Sequence, residues 1–218
     1  MKLVVPTITA KDSHQFRTQT ELVASISDFA HLDLSSADFF QAKASLNFQQ
    51  IYLDPILTYS VHLMFQNPLP VVQFILEQQN PPKLIILQAE SDSANLLESI
   101  KLIKDSGILL GISLLQKSDP KDYSELIKMA DQALIFSGNL GQHGGSANLN
   151  LTAKVSQIKK IKPELEVAWD GGINSANISN LSLAGIEIFY VGGEIHKNPD
   201  PALKLKELQN LVESTTSA

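Results

Sequence analysis

The chain has 218 residues, of which 44% are hydrophobic, and carries a formal net charge of -6 at pH 7. This length supports one sizeable core and is short for two full domains. The acidic balance argues against nucleic acid as a partner, the absence of cysteine excludes thiolate chemistry, and no apolar run approaches a membrane span. We therefore expect a cytoplasmic protein with one domain over 1–218, in which 215–218 form a frayed tail.

Eight short apolar runs alternate with segments of helical period. The predicted strands are 2–6, 29–34, 58–65, 83–88, 108–115, 132–138, 165–170 and 187–193. The predicted helices are 11–26, 68–79, 93–107, 119–131, 151–162, 174–185 and 201–214. The least regular segment follows the second strand, and a short extra strand is predicted there over 49–54. The strands are continuous apolar runs, as expected for parallel strands that are covered on both faces.

This alternation indicates βα units in a parallel sheet. A doubly wound open sheet would usually have fewer strands at this length, whereas a closed barrel uses all eight. The sequence therefore predicts an α/β fold that consists of a single (β/α)8 TIM barrel.

Polar side chains stand near the ends of three predicted strands, where barrel enzymes carry their chemistry. His31 and Asp33 end the second strand and share one face of it, His62 lies near the end of the third, and Asp170 ends the seventh. A lone strand histidine is more often a core residue, and a strand-end aspartate is often a helix cap. Two imidazoles and two carboxylates together predict a site for one divalent ion, such as Zn, Mn, Fe or Co.

Six segments resemble motifs of the ribulose-phosphate 3-epimerase family, and they occur in family order over almost the whole chain. The most specific pair is SVHLMFQNP and WDGGIN, at 60–68 and 169–174. The others are PTIT (6–9), HLDL (31–34), IFSGNLGQHGG (135–145) and VGGE (191–194). The resemblance implies a barrel of the ribulose-phosphate-binding type.

The resemblance also implies a metal-dependent epimerase that interconverts D-ribulose 5-phosphate and D-xylulose 5-phosphate. Proton removal beside a ketone builds negative charge on oxygen, which a cation stabilises, and inversion needs acid/base groups on opposite faces of the sugar. By resemblance these groups are Asp33 and Asp170, which also bind the metal, and His31 and His62 complete the ligand set. Family members form dimers or hexamers, so a homo-oligomer is expected.

Substrate contacts are carried over from the same motifs. Thr7 occupies a family serine position and Met64 matches a family methionine beside the reacting carbon, although strand propensity and core packing explain these two residues equally well. Barrels commonly bind phosphate with the loops after strands seven and eight. The glycines of those loops are Gly171, Gly172, Gly192 and Gly193, and a lid over the sugar is expected from Gly144, Gly145 and Ser146.

The chain departs from the family pattern at several positions. Gln88 stands where the family has histidine, Phe136 replaces a methionine, and the segment 34–47 differs throughout. Glu194 stands where the family has a serine that meets the phosphate, and a carboxylate there would repel a phosphate dianion.

Three alternatives therefore stay open. One is an epimerase for a different ketose or ketose phosphate, and another is a barrel that binds a sugar phosphate without catalysis. A decarboxylase-type barrel is the third, but it would need a lysine at a strand end, whereas Lys83 begins its strand.

Overall fold

A computed structural model describes residues 2–140 and 146–215. Eight parallel strands form a closed barrel in sequence order, in which β1 pairs with β8. The strands are β1 (Leu3–Ile8), β2 (Phe29–Ser35), β3 (Thr58–Met64), β4 (Leu84–Gln88), β5 (Leu109–Leu114), β6 (Gln132–Phe136), β7 (Glu166–Asp170) and β8 (Ile188–Val191). The predicted TIM barrel is confirmed.

Helices follow most of the strands. Those in the described ranges are α1 (Ser13–Ile26), α2 (Leu69–Leu76), α3 (Ser93–Asp105), α4 (Ser124–Met129), α5 (Ala153–Ile161), α6 (Ile178–Leu183), α7 (Gly193–His196) and α8 (Pro201–Ser214). Short 3-10 helices span Phe48–Gln50, Pro120–Tyr123 and Leu149–Thr152. None of the helices in these ranges is long and apolar enough to cross a membrane.

Local signals set several helix boundaries. The carboxylates of Asp12 and Asp200 accept backbone N–H groups of Gln15 and Leu203, which caps α1 and α8. Gly107 follows α3 with a φ of 76°, the left-handed conformation in which helices commonly end.

Several predicted elements differ from the structure in type or bounds, and three of these differences have a clear local description. The segment 49–54 is not a strand: the Asn47 side chain accepts the Gln49 N–H and starts a 3-10 helix, after which the backbone is irregular. The eighth strand ends at Val191 instead of 193, because the chain turns at Gly192 into the short helix α7. The first strand continues past Pro6 to Ile8. At the other end of the chain, Thr215 donates to the Val212 carbonyl at 2.6 Å, and residues 216–218 lie outside the described residues.

The core has an outer and an inner part. Outward-facing strand residues such as Leu32, Val61 and Leu63 pack beneath the helices in the largest apolar cluster. Inside the barrel a smaller cluster forms an apolar floor, made of Val5, Leu84, Ile86, Leu134, Ala168, Ile188 and Tyr190. Polar side chains at the carboxyl ends of the strands are thereby held over a packed interior rather than a channel.

Candidate active site

The four predicted metal ligands converge at the barrel mouth. One nitrogen or oxygen atom from each of His31, Asp33, His62 and Asp170 lies within 4.8 Å of the others, and all four residues are buried. The register of β2 and β3 sets Asp33 beside His62, and alternation along β2 puts His31 on the same face as Asp33. β7 supplies Asp170 from the other side of β1 and β8.

The Asp33 carboxylate contacts three polar side chains in this cluster. Its Oδ1 lies 3.2 Å from Nδ1 of His62 and 3.4 Å from Nε2 of His31, and its Oδ2 accepts the Thr9 hydroxyl at 2.8 Å. Burial alone would raise the pKa of Asp33, but hydrogen bonds and charge from the two histidines outweigh burial and hold that pKa well below its usual range. Sequence reasoning missed Thr9, although it lies two residues after Thr7.

Asp170 has the opposite electrostatic character. Burial, followed by the charge of Asp33, raises the pKa of Asp170 well above its usual range, and the Gly171 backbone N–H only partly opposes this. In the metal-free protein the pKa values of the two neighbouring carboxyl groups are therefore shifted in opposite directions. Two carboxyl groups separated in this way suit a paired base and acid.

The ligand set fits a divalent metal ion. Nε2 of His31 is buried and makes no hydrogen bond of good geometry in the described part of the chain, although Oδ1 of Asp33 lies 3.4 Å away. Burial lowers the pKa of His31, which favours the neutral imidazole with a free lone pair. An orphaned ring nitrogen beside two carboxylates is costly unless a cation binds there, and mixed N/O donors suit Zn, Mn, Fe or Co.

Further polar groups orient both histidine rings. Nδ1 of His31 lies 2.8 Å from Oγ of Ser60, and Nε2 of His62 lies 2.9 Å from Nε2 of Gln88. The His31 ring also stacks on Tyr190 with a centroid separation of 3.6 Å. The contact of His31 with Ser60 matches the usual pairing of the second ring nitrogen of a metal-binding histidine. The Gln88 amide NH2 instead donates to Nε2 of His62 and leaves the His62 ring proton on Nδ1, facing Asp33, so metal binding at Nδ1 requires Gln88 to turn its amide oxygen toward the ring.

The cluster opens into a cavity of about 210 Å³. The cavity contains six of the predicted substrate-binding residues, namely Thr7, Met64, Gly171, Gly172, Gly192 and Gly193. Met64 also packs with Phe39 and Phe136, so both its predicted contact with substrate and its alternative packing role remain compatible with this position. Ser146 is exposed and is absent from the cavity wall, while Gly144 and Gly145 lie outside the described residues.

The backbone conformation and close packing at positions 171 and 172 require glycine. Their φ values are 107° and 72°, and a Cβ would stand 2.1 Å from the Gly138 nitrogen or the Ala147 nitrogen respectively. Both glycines therefore let the loop after β6 approach the loop after β7 closely. A role in the turn itself, which is the alternative to substrate binding for these two glycines, is therefore present in the structure.

A sequence model of the ribulose-phosphate 3-epimerase family matches residues 3–196. The chain belongs to this family. A ribulose-phosphate 3-epimerase of Helicobacter pylori is 29% identical over 223 residues, which cover 97% of this chain and 98% of that protein. One of Escherichia coli K12 is 23% identical over 220 residues and 95% of each chain. Membership makes the chain an epimerase, of the isomerase class.

Solved structures of low identity share the fold of this epimerase. A 3-hexulose-6-phosphate synthase from Salmonella typhimurium matches with a TM-score of 0.71 and 14% identity, covering 99% of this chain and all of that one. A 3-keto-L-gulonate-6-phosphate decarboxylase from Vibrio cholerae matches with a TM-score of 0.71 and 10% identity over 99% of each chain. These likenesses concern the barrel alone.

Two charged residues of the epimerase distinguish the α7 side of its cavity. Glu194 and Lys197 both line the wall. The Glu194 carboxylate is 31% exposed and lies 3.6 Å from Nζ of Lys204, which also bonds Glu207 at 2.8 Å. The unfavourable charge noted in the sequence is thus partly offset by a neighbouring cation.

Proposed function

We propose that this epimerase interconverts D-ribulose 5-phosphate and D-xylulose 5-phosphate with one divalent metal ion. The observation that carries the proposal is the buried convergence of His31, Asp33, His62 and Asp170 within 4.8 Å. The named relatives support the substrate, since they are ribulose-phosphate 3-epimerases over nearly their full length.

Asp33 and Asp170 are the proposed acid/base pair. They reach the mouth from β2 and β7, so a sugar plane lying between them offers one face to each carboxyl group. One of the two takes the proton beside the ketone as a carboxylate, and the other returns a proton to the opposite face as a carboxylic acid. A divalent ion bound by the same four residues supplies positive charge for the substrate oxygens as they become negative.

The remaining wall residues are proposed to hold the substrate. Thr7 and Met64 border the reacting end, where Met64 and Phe136 keep an apolar surface against the carbon skeleton. The phosphate is assigned to the backbone around Gly171, Gly172, Gly192 and Gly193, with Lys197 on the same wall. The lid of Gly144, Gly145 and Ser146, the dimer or hexamer and the cytoplasmic location stay predictions.

The direct test follows proton exchange at the inverted carbon. The purified protein is stripped of metal, reloaded separately with Zn, Mn, Fe or Co, and incubated with D-ribulose 5-phosphate in D2O. We expect D-xylulose 5-phosphate with deuterium at C3. An Asp170→Asn variant should lose inversion while the surviving carboxylate still exchanges the C3 proton of one epimer. Absence of turnover with all four ions would overturn the proposal.

A second candidate is an epimerase for an unphosphorylated ketose, and Glu194 is the observation that favours it. A carboxylate accepts hydrogen bonds from sugar hydroxyls but repels a phosphate dianion. Parallel assays with D-ribulose decide between the two: a higher kcat/KM for D-ribulose than for D-ribulose 5-phosphate would support the second candidate and contradict the first.

A further inference from the structure

Lys204 of α8 connects two of the segments that border the substrate cavity. Its Nζ lies 3.6 Å from the Glu194 carboxylate of α7 and donates to Oγ of Ser175 at 3.2 Å. Ser175 directly follows Asn174, a residue of the cavity wall in the loop after β7, and Glu194 belongs to the same wall. Lys204 itself stands behind this wall. One amino group therefore contacts both sides of the region that is proposed to hold the phosphate.

Two further contacts fix the Lys204 amino group in this position. Nζ lies 2.8 Å from Oε2 of Glu207, three positions along α8, and Oε1 of Glu207 accepts the Ser175 hydroxyl at 2.7 Å. The Lys204 side chain is 14% exposed, compared with 55% for Lys128 in its ion pair with Glu125 of α4. Water screens a covered pair less than an exposed one, so the charge of Lys204 acts more strongly on Glu194 than an ordinary surface lysine would.

The ion pair determines where the negative charge of Glu194 lies. In the described part of the chain, Glu194 pairs with Lys204 rather than with Lys197, which is three positions away in sequence and also lines the cavity. Because Lys204 stands behind the wall, the pair draws the carboxylate away from the cavity and offsets its charge. The Lys197 ammonium group is thereby left available to an anion in the cavity.

We propose that Lys204 is a positioning residue for substrate specificity, which holds the Glu194 carboxylate back from the substrate phosphate. A cavity with an acidic wall residue can then accept a phosphate ester. The proposal rests on the proposed function, because it requires a phosphate at this wall. Without Lys204, the Glu194 carboxylate is free to turn inward with its charge uncompensated, where it repels a phosphate dianion.

The test is a double-mutant cycle between Lys204 and Glu194. Lys204→Met keeps the aliphatic stem and removes the charge, and Glu194→Gln keeps the side-chain size and removes the repulsion. KM and kcat for D-ribulose 5-phosphate are measured for the metal-loaded wild type, both single variants and the double variant. We expect Lys204→Met to raise KM about fivefold, with kcat within about twofold of wild type. The double variant should return KM to the value of Glu194→Gln.

Inorganic phosphate provides a readout that needs no turnover. Its dissociation constant is measured by 31P NMR titration of the metal-free forms of the same four proteins. We expect the weakest binding in Lys204→Met, and equal binding in Glu194→Gln and the double variant. Because the effect is electrostatic, the difference between wild type and Lys204→Met should shrink when the salt concentration is raised from about 0.05 M to about 0.5 M.

Lys159→Met is the matched control. Nζ of Lys159 lies 3.1 Å from Oε2 of Glu187, which precedes β8 at the amino-terminal end of the barrel, and neither residue lines the substrate cavity. The variant removes a lysine from an ion pair that is remote from the phosphate. It should therefore leave KM and the phosphate affinity at wild-type values, while urea unfolding measures what the loss of such a pair does to stability.

Two results would overturn the proposal: a KM that Lys204→Met leaves unchanged, or an equal rise in KM when Lys204→Met is made in the wild type and in Glu194→Gln. The second result would show that Lys204 acts without Glu194. Failure of the proposed function is separable from both. If the wild type turns over no D-ribulose 5-phosphate, the function fails, and the phosphate affinities of the four proteins still decide the role of Lys204. In that case, undetectable phosphate binding by all four overturns this role as well.

Discussion

Asp33 and Asp170 hold carboxyl groups within 4.8 Å of each other in the buried barrel mouth, and their surroundings shift their pKa values in opposite directions. Asp33 is stabilised as an anion by His31, His62 and Thr9. Burial and the charge of Asp33 both disfavour the ionised form of Asp170, whereas the hydrogen bond from the Gly171 N–H favours it. The same substitution at the two positions should therefore change stability in opposite directions.

Asp33→Asn should lower the free energy of unfolding of the metal-free protein by about 2–3 kcal/mol, because the amide lacks the negative charge that faces the buried histidines and keeps only one of the two acceptor oxygens. Asp170→Asn should raise it, because a neutral amide removes the buried like-charge contact. Urea unfolding at pH 7 with a chelator measures both changes. A loss of stability of similar size in both variants would contradict this account.

Metal binding should stabilise the fold through the same residues. With free Zn2+ at about 100 times its dissociation constant, the free energy of unfolding should rise by about 2.7 kcal/mol. His31→Ala and His62→Ala should remove most of that rise, since each deletes a nitrogen ligand. His14→Ala changes an exposed histidine of α1 and should retain it. Thermal melts with and without Zn2+ make the comparison, and an equal rise in all three variants would place the ion elsewhere.

Gly107 and Gly171 both have a positive φ, but only Gly171 is closely approached by a neighbouring backbone segment. Substituting each by alanine therefore distinguishes the cost of a left-handed conformation from the cost of a steric clash. Gly107→Ala should cost about 1–2 kcal/mol, as expected for a left-handed alanine, because nothing lies within 4 Å of the added Cβ. Gly171→Ala should cost more than about 4 kcal/mol, since its Cβ would stand 2.1 Å from the Gly138 nitrogen. Chemical denaturation of the two variants checks the difference, and equal losses would show that the loops after β6 and β7 separate easily.

Glu90 makes stability depend on pH. Burial raises the pKa of Glu90 above its ordinary 4.5, although the Ser118 hydroxyl and the Leu115 N–H bond its Oε1. A raised folded-state pKa means that the folded protein binds this proton more tightly than the unfolded chain does. The stabilisation is complete below about pH 4.5 and is lost as the pH rises through the folded-state pKa.

Glu90→Gln removes this loss, because a neutral amide occupies the same space at every pH. The variant should gain stability relative to wild type as the pH rises from about 4.5 to 7, as measured by urea unfolding of metal-free protein. Glu21→Gln, at an exposed position of α1, is the control and should show no such trend. A constant difference between Glu90→Gln and wild type across this range would rule out the assigned cause.

The barrel and its four-residue cluster follow from sequence for one physical reason. Continuous apolar strands that alternate with helices close into a barrel, and a barrel brings its strand ends together. His31, Asp33, His62 and Asp170 therefore meet, although the first and the last of them are 139 positions apart in the chain. Their assignment as metal ligands and acid/base groups stays a prediction.

Other features depend on register and packing that no single sequence displays. The bond between Thr9 and Asp33 and the stack of Tyr190 on His31 require knowledge of how far neighbouring strands are offset. The false strand at 49–54 has a clear cause: Ile51 and Leu53 are buried on either side of exposed Tyr52, which imitates strand alternation in irregular backbone. Helix α7 has four residues, too few for a periodic signal.

Glu194 provides the sharpest test of which sugar the epimerase accepts. At pH 7 its carboxylate lines the cavity assigned to the phosphate, and its partial neutralisation by Lys204 leaves a residual repulsion. Glu194→Ser should raise kcat/KM for D-ribulose 5-phosphate by about 5- to 10-fold, chiefly through KM, as expected for the loss of roughly 1 kcal/mol of repulsion. Glu207→Gln alters the other carboxylate on Lys204, outside the cavity wall, and should change kcat/KM little. A Glu194→Ser variant that loses activity toward D-ribulose 5-phosphate would instead indicate that Glu194 binds a substrate hydroxyl.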